Sequence, residues 1–198
     1  MKRDIQLDPA LKGQMPLNWL WKQVGYFSHV ALVTTMSETG HVAVEVNTWN
    51  TPVGSNMVMM QCASYHDTYR NILTQGEFVF NYPRVDLIDQ VIQAGRAKRG
   101  PTLNEVSTIG LTPIPSTQVK PPRIAQCVAH LECALLWHRA TEMREKGELV
   151  VIVGQVVAAS VEDVADIYEG SILYAERDEF ASCPVDRFRP WPEDVENN

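Results

Sequence analysis

The sequence is poor in the features that would assign it to a specialised class at once. Four cysteines stand at 62, 127, 133 and 183, and no two form a CxxC pair, so neither a disulfide framework nor a zinc ribbon is written in the spacing. Basic residues are in deficit, 17 Lys and Arg against 24 Asp and Glu, which argues against a general nucleic-acid binder needing a basic face for phosphates. No apolar run approaches the ~20 residues of a membrane-spanning helix. The first residues lack the apolar core of a secretion signal, so reduced thiols and a cytoplasmic location are expected. No GxGxxG loop, P-loop, GxSxG elbow or HExxH helix occurs, and no internal repeat or low-complexity block is visible.

What remains is an ordinary globular chain of 198 residues, 45% hydrophobic and 21% charged, long enough to bury a core without staples. An aromatic arm is expected over residues 1–28, laid on its own domain or on a partner subunit. The main domain is expected over 29–170 and a proline- and acid-rich extension over 171–198. Residues 29–36 are short and β-branched and read as a buried strand. Residues 41–49 alternate Val42, Val44 and Val46 against Ala43, Glu45 and Asn47, the pattern of a half-buried strand. Thr51-Pro52-Val53-Gly54 breaks it, and 57–63 is a third strand.

The period then changes. Residues 67–76 read as a short helix, with Asp67 capping its first amides and Gly76 ending it in a left-handed conformation. Residues 77–83 form a strand stopped by proline. Residues 86–95 form a second amphipathic helix closed by Gly95. Residues 96–125 are proline-rich and irregular, with one helical turn near 103–109. Two long strands, 125–140 and 148–161, flank a turn at Glu145-Lys146-Gly147, and one more helical turn is expected at 164–168. Mostly antiparallel strands with a few short peripheral helices predict a mainly β fold, best a closed or split barrel, because closure removes exposed edges.

Two segments carry chemistry. At the strand-to-helix turn, Thr68, Arg70 and Asn71 surround a helix N-terminus, where unpaired amides and partial positive charge can hold a phosphate; the same residues also suit a plain capped and solvated helix end. At 47–51, Asn47, Thr48, Trp49, Asn50 and Thr51 crowd polar groups and a ring at a strand end, a surface fit for the edge and face of a flat heteroaromatic ligand, or simply a strand running into a turn. Cys127, His130 and Cys133 would align on a helix, but the segment reads as a strand, where His130 points away from both; no metal site is expected. His66 reads as a surface histidine. No side chain is placed as a nucleophile or a catalytic acid or base, so any chemistry falls to a bound cofactor.

The order and spacing of VALVTT (30–35), NTW (47–49), HDTYRNI (66–72), GEFVFNYP (76–83), GLT (110–112) and VKPPRI through HLEC (119–133) resemble the flavin reductase-like FMN-binding proteins with a split β-barrel, the group that includes flavoredoxin. The resemblance implies a homodimer binding FMN, with FAD as an alternative. It implies that Thr34, Thr35, Asn47, Thr48 and Trp49 face the isoalloxazine, that backbone amides of 48–51 meet the ring edge, and that Thr68 and Asn71, with Arg70 as a weaker candidate, hold the phosphate. The activity implied is hydride transfer from NAD(P)H to flavin. The alternatives are an FMN electron carrier of the flavoredoxin type, serving a redox protein partner, and a non-enzymatic barrel holding another ligand such as haem. Relatives carry Asp-Lys-Phe where this chain has Asn104-Glu105-Val106, a basic residue turned acidic near a place that could face cofactor or substrate.

Overall fold

The computed structural model describes residues 19–96, 104–176 and 179–182. A seven-stranded antiparallel sheet dominates, in the order β3-β2-β6-β9-β10-β5-β4. Its strands are β2 (Ala31–Met36), β3 (Val42–Asn47), β4 (Asn50–Val53), β5 (Met57–Ala63), β6 (Glu77–Tyr82), β9 (Ala129–Arg144) and β10 (Gly147–Val161). The two margins of the sheet curl toward each other and meet. Asn47 Nδ2 donates to Gln61 O at 2.9 Å, and Gln61 N donates to Trp49 O at 2.9 Å. This is a mainly β split barrel, as the strand pattern predicts. A second, three-stranded sheet joins β1 (Ser28–His29), β11 (Ile172–Glu176) and β12 (Glu179–Ser182), and β7 (Pro113–Ile114) pairs with β8 (Arg123–Ile124).

Two buried clusters explain the patterning. Ala31, Val33, Phe78, Phe80 and Ile152 fill the barrel, while Val30, Leu32, Val44, Val91 and Val106 pack outside it under two helices. Strand β2 therefore buries both faces, which is why it reads as a continuous apolar run instead of an alternation. Each large apolar side chain so buried contributes about 1.5–3 kcal/mol against exposure. Around the barrel lie α1 (Trp19–Gln23), α2 (Asp67–Gln75), α3 (Ile88–Arg96) and α4 (Glu105–Thr108).

Several local expectations need correction. The residue capping α2 is His66, with extended backbone and no side-chain cap, and Asp67 lies inside the first turn, where it pairs with Arg70. Gly76 does end that helix, at φ 71° with its N–H on Ile72 O. Gly95 does not end α3, which continues to Arg96 after a 3-10 turn at Val85–Leu87. The Pro52 segment is strand β4, tolerated because an edge strand leaves one side of its ladder unpaired. Residues 164–168 form bends and a turn, not a helical turn. The long strand expected from 125 begins at Ala129. Arm residues 1–18, the Gly100-Pro101 segment and the tail from 183 lie outside the described residues. Strands β11 and β12, in the segment expected as an extension, pair with each other and with β1 of the main domain.

Candidate functional site

Where the margins of the sheet meet, they leave a cleft of about 900 Å³. Three pieces of chain line it: residues 45–49 at the end of β3, residues 61–63 with Tyr65 and His66 between β5 and α2, and residues 143–149 of the β9–β10 hairpin. The hairpin is pinned to the turn before α2. Ser64 N donates to Glu148 O at 2.8 Å, and Glu148 N donates to Ser64 Oγ at 3.0 Å. The lining is chemically mixed. Trp49 and Tyr65 supply aromatic rings, and Glu45, Glu145 and Glu148 are set among His66, Arg144 and Lys146.

The strand-end segment is held by its own amides. Asn47 is buried; its Oδ1 accepts the Trp49 N–H at 3.1 Å. Asn50 Nδ2 donates to His29 O at 2.9 Å and to Asn47 O at 3.1 Å. These bonds fix the backbone of 47–50 and leave the Trp49 ring on the cleft wall. Beside it, a smaller cavity of about 170 Å³ shares Thr48, Trp49 and Gln61 with the large one and adds Asn50 and Thr51.

The expected residues thus divide. Asn47, Thr48 and Trp49 line the large cleft, and Thr48–Thr51 line the smaller cavity. Thr34, Thr35, Thr68, Arg70 and Asn71 line neither. Thr34 is fully buried and donates to Pro122 O. Asn71 Nδ2 donates to Thr35 Oγ1 at 3.0 Å, tying α2 to β2. Thr68 is buried under α2. The Arg70 side chain points outward, bonded to Asp67. Glu105 does not face the cleft either: it is buried and accepts the Val44 N–H at 2.9 Å, so its acidic character closes an edge amide of β3. Cys127 and Cys133 enter different core clusters, burial pushes the Cys133 thiol up to about 12, and His130 Nε2 meets Ile124 O at 2.9 Å. Among the described residues no group of three His, Cys, Asp or Glu side chains is arranged for a metal ion, and no helix is long and apolar enough to cross a membrane.

Sequence reasoning passed over a buried pair. Glu45 Oε1 lies 2.5 Å from His66 Nδ1, and Glu45 Oε2 is buried without a hydrogen-bond partner. The signal was an acid inside VAVEVN, on the strand face expected to meet solvent. That face turns inward instead, because the sheet curls over it.

The flavin reductase-like domain model matches residues 24–181 of the chain. The chain belongs to that family. An uncharacterised protein of Methanothermobacter thermautotrophicus is 37% identical over 115 residues, 57% of this chain and 51% of its own length, so the match spans about half of that relative. Component B of nitrilotriacetate monooxygenase from Bacillus cereus superposes with a TM-score of 0.80 at 18% identity, covering 96% of this chain and all of that one. Flavoredoxin of Desulfovibrio vulgaris superposes with a TM-score of 0.72 at 18% identity, covering 85% and 93%. At such identities these likenesses establish the split-barrel fold of a flavin reductase-like domain.

Proposed function

We propose that this flavin reductase-like domain binds FMN in the large cleft and acts as an oxidoreductase of the flavin reductase type. The observation that carries the reading is the mixed aromatic and charged cleft itself, lined by Asn47, Thr48 and Trp49 of a flavin reductase-like barrel. Its volume lies within the range of pockets that hold cofactors. Trp49 and the fixed backbone of 47–50 suit the face and edge of a flat ring system. The unpartnered Glu45 oxygen suits a ligand rich in hydroxyl donors, since a buried acceptor left alone costs about 1–3 kcal/mol. Lys146 and His66 suit a terminal phosphate. In this reading Thr35 and Asn71 support the site from behind by tying β2 to α2, Thr34 does so by tying β2 to Pro122, and Thr68 is buried in the first turn of α2.

The bound flavin would supply the redox chemistry, accepting a hydride from reduced nicotinamide. The chain's own residues bind and orient it. Residues 47–50 position the ring edge through a backbone already rigid in the free protein, which lowers the ordering cost of binding. The hairpin 143–149 supplies the charged side chains Arg144, Glu145, Lys146 and Glu148 to the cleft lining. No side chain in the cleft is assigned a catalytic proton.

The test is an absorption spectrum of the purified chain after incubation with FMN and desalting, then anaerobic addition of NADH or NADPH. Retained flavin that bleaches supports the reading. No retained flavin and no quenching of FMN fluorescence on titration would remove it. The Lys146→Glu variant should weaken FMN binding about tenfold, some 1.4 kcal/mol, and leave riboflavin, which lacks the phosphate, unchanged.

A further inference from the structure

We propose that the smaller cavity is a second ligand site, built for one uncharged six-membered ring. It lies between the outer face of the β10-β5-β4 part of the barrel and a roof formed by α1, β1 and β11. Trp21, Tyr26, Trp49 and Tyr174 supply its rings, and Met59 and Val151 its floor. Trp21 meets Trp49 edge-on, with centroids 6.3 Å apart, and Tyr26 at 5.6 Å. These aromatic contacts hold the roof in place over the space.

Size and polarity select the occupant. The volume is about 170 Å³, and an apolar cavity of about 150 Å³ takes a benzene ring; a fused ring system needs more room. None of the described residues lining the cavity is charged. An ionised ligand would lose its hydration without gaining a partner, a penalty of several kcal/mol. Methionine sulfur and aromatic edges instead favour a polarisable ring. The Ser28 hydroxyl and the Gln61 amide at the margin offer places for one neutral polar substituent. A phenol or a simple aromatic carbonyl compound meets these terms.

The position gives the site a use. Thr48, Trp49 and Gln61 border both cavities, so a ring in the smaller one lies against the far side of the wall facing the larger. Its role beside a flavin, as a small aromatic partner of the redox site, rests on the function proposed above; its occupancy does not.

The test uses the full chain labelled with 13C-methyl methionine, titrated with phenol and followed by NMR. Met59 is the reporter, and Met36, which lines neither cavity, is the control. A saturable shift at Met59 without one at Met36 is expected, with benzoate at least about tenfold weaker than phenol because it is charged. Val151→Phe and Ala175→Leu fill the cavity from different sheets. Each should weaken phenol at least about tenfold, the scale of about two lost methylene-sized contacts, while the Met36 resonance stays at its folded position. Added FMN should leave phenol bound. The proposal is overturned by no saturable shift at Met59, by undiminished binding in both filled variants, or by competitive displacement with FMN. If FMN is not retained at all yet phenol still titrates Met59, the flavin reading fails and the second site stands.

Discussion

Glu132 shows how one residue can hold a long loop. Its carboxylate is 2% exposed near the start of β9, yet it is fully engaged. Thr117 N donates to it at 2.9 Å, Thr117 Oγ1 at 3.1 Å and Gln118 N at 2.7 Å. Arg123 Nε stands 3.8 Å away. Desolvation pushes its pKa up, but the bonds from Thr117 and Gln118 and the charge of Arg123 together outweigh it, and the pKa lies below the ordinary 4.5. A group whose folded pKa is depressed stabilises the protein above its unfolded value and loses that contribution as pH falls through the folded value. Glu132→Gln should therefore cost about 2–3 kcal/mol at pH 7, the scale of hydrogen bonds to a charged group. The difference from the parent should shrink as pH falls below the ordinary 4.5 and through the lower folded value. Urea unfolding at pH 7 and at pH 3.5 reads both, and a constant difference would show that the charge plays no part. Gly154 is a second such residue. A Cβ there would run into the buried Phe78 ring and come within 3.2 Å of Cys133 Cβ. Gly154→Ala should cost about 1–3 kcal/mol by overpacking, seen as a lowered thermal midpoint.

Among the elements, the β9–β10 hairpin decides the shape of the cleft. Gly147 opens β10 at φ 143°, a backbone that side chains rarely adopt, and a Cβ there would stand 2.8 Å from Ser64 Oγ. The same Ser64 holds Glu148, so Gly147→Val should push the hairpin off the turn before α2. The expected result is FMN affinity reduced about tenfold or more with a smaller loss of stability, because the hairpin end is exposed while the core strands behind it are not. Equal affinity in the variant would mean that the hairpin does not shape the site. This element also marks the limit of what the sequence discloses. Strands β2, β3, β5 and β6 and helix α2 are legible from local period and turn residues. The end of β3 is legible as a site because polar groups crowd an apolar strand there. The hairpin rim is not, since Arg144, Glu145 and Lys146 look like any charged turn until the sheet curls them over the cleft. The pairing of β1 with β11 joins Ser28 to Tyr174, and no local signal spans that distance. Thr68 and Asn71 have the spacing of a phosphate site; the burial of Thr68 and the bond of Asn71 to Thr35 across to β2 are tertiary contacts that residue spacing does not reveal.

At the scale of the whole molecule, an apolar surface among the described residues lies on the long β9–β10 ribbon. Beyond Cys133, β9 passes from buried to exposed: Leu136 is 47% exposed, Trp137 50% and Met143 68%. Val157 of the paired strand β10 is 43% exposed. Large apolar side chains grouped on one long hairpin mark a surface for association, and an antiparallel ribbon can pack on its own copy around a two-fold axis. The chain is therefore expected to form a homodimer through this ribbon, which would also bring a second chain near the hairpin end of the cleft. Sedimentation at micromolar concentration should show about twice the 22.3 kDa of one chain. Trp137→Glu places a charge at the centre of the contact and should shift the population to the single chain, since desolvating an unpaired carboxylate costs several kcal/mol. If the cleft is complete within one chain, that monomer keeps its FMN affinity; if the second copy supplies part of the site, affinity falls as the dimer is lost and returns as concentration is raised. A parent protein that sediments as a single chain would leave the exposed ribbon without this role.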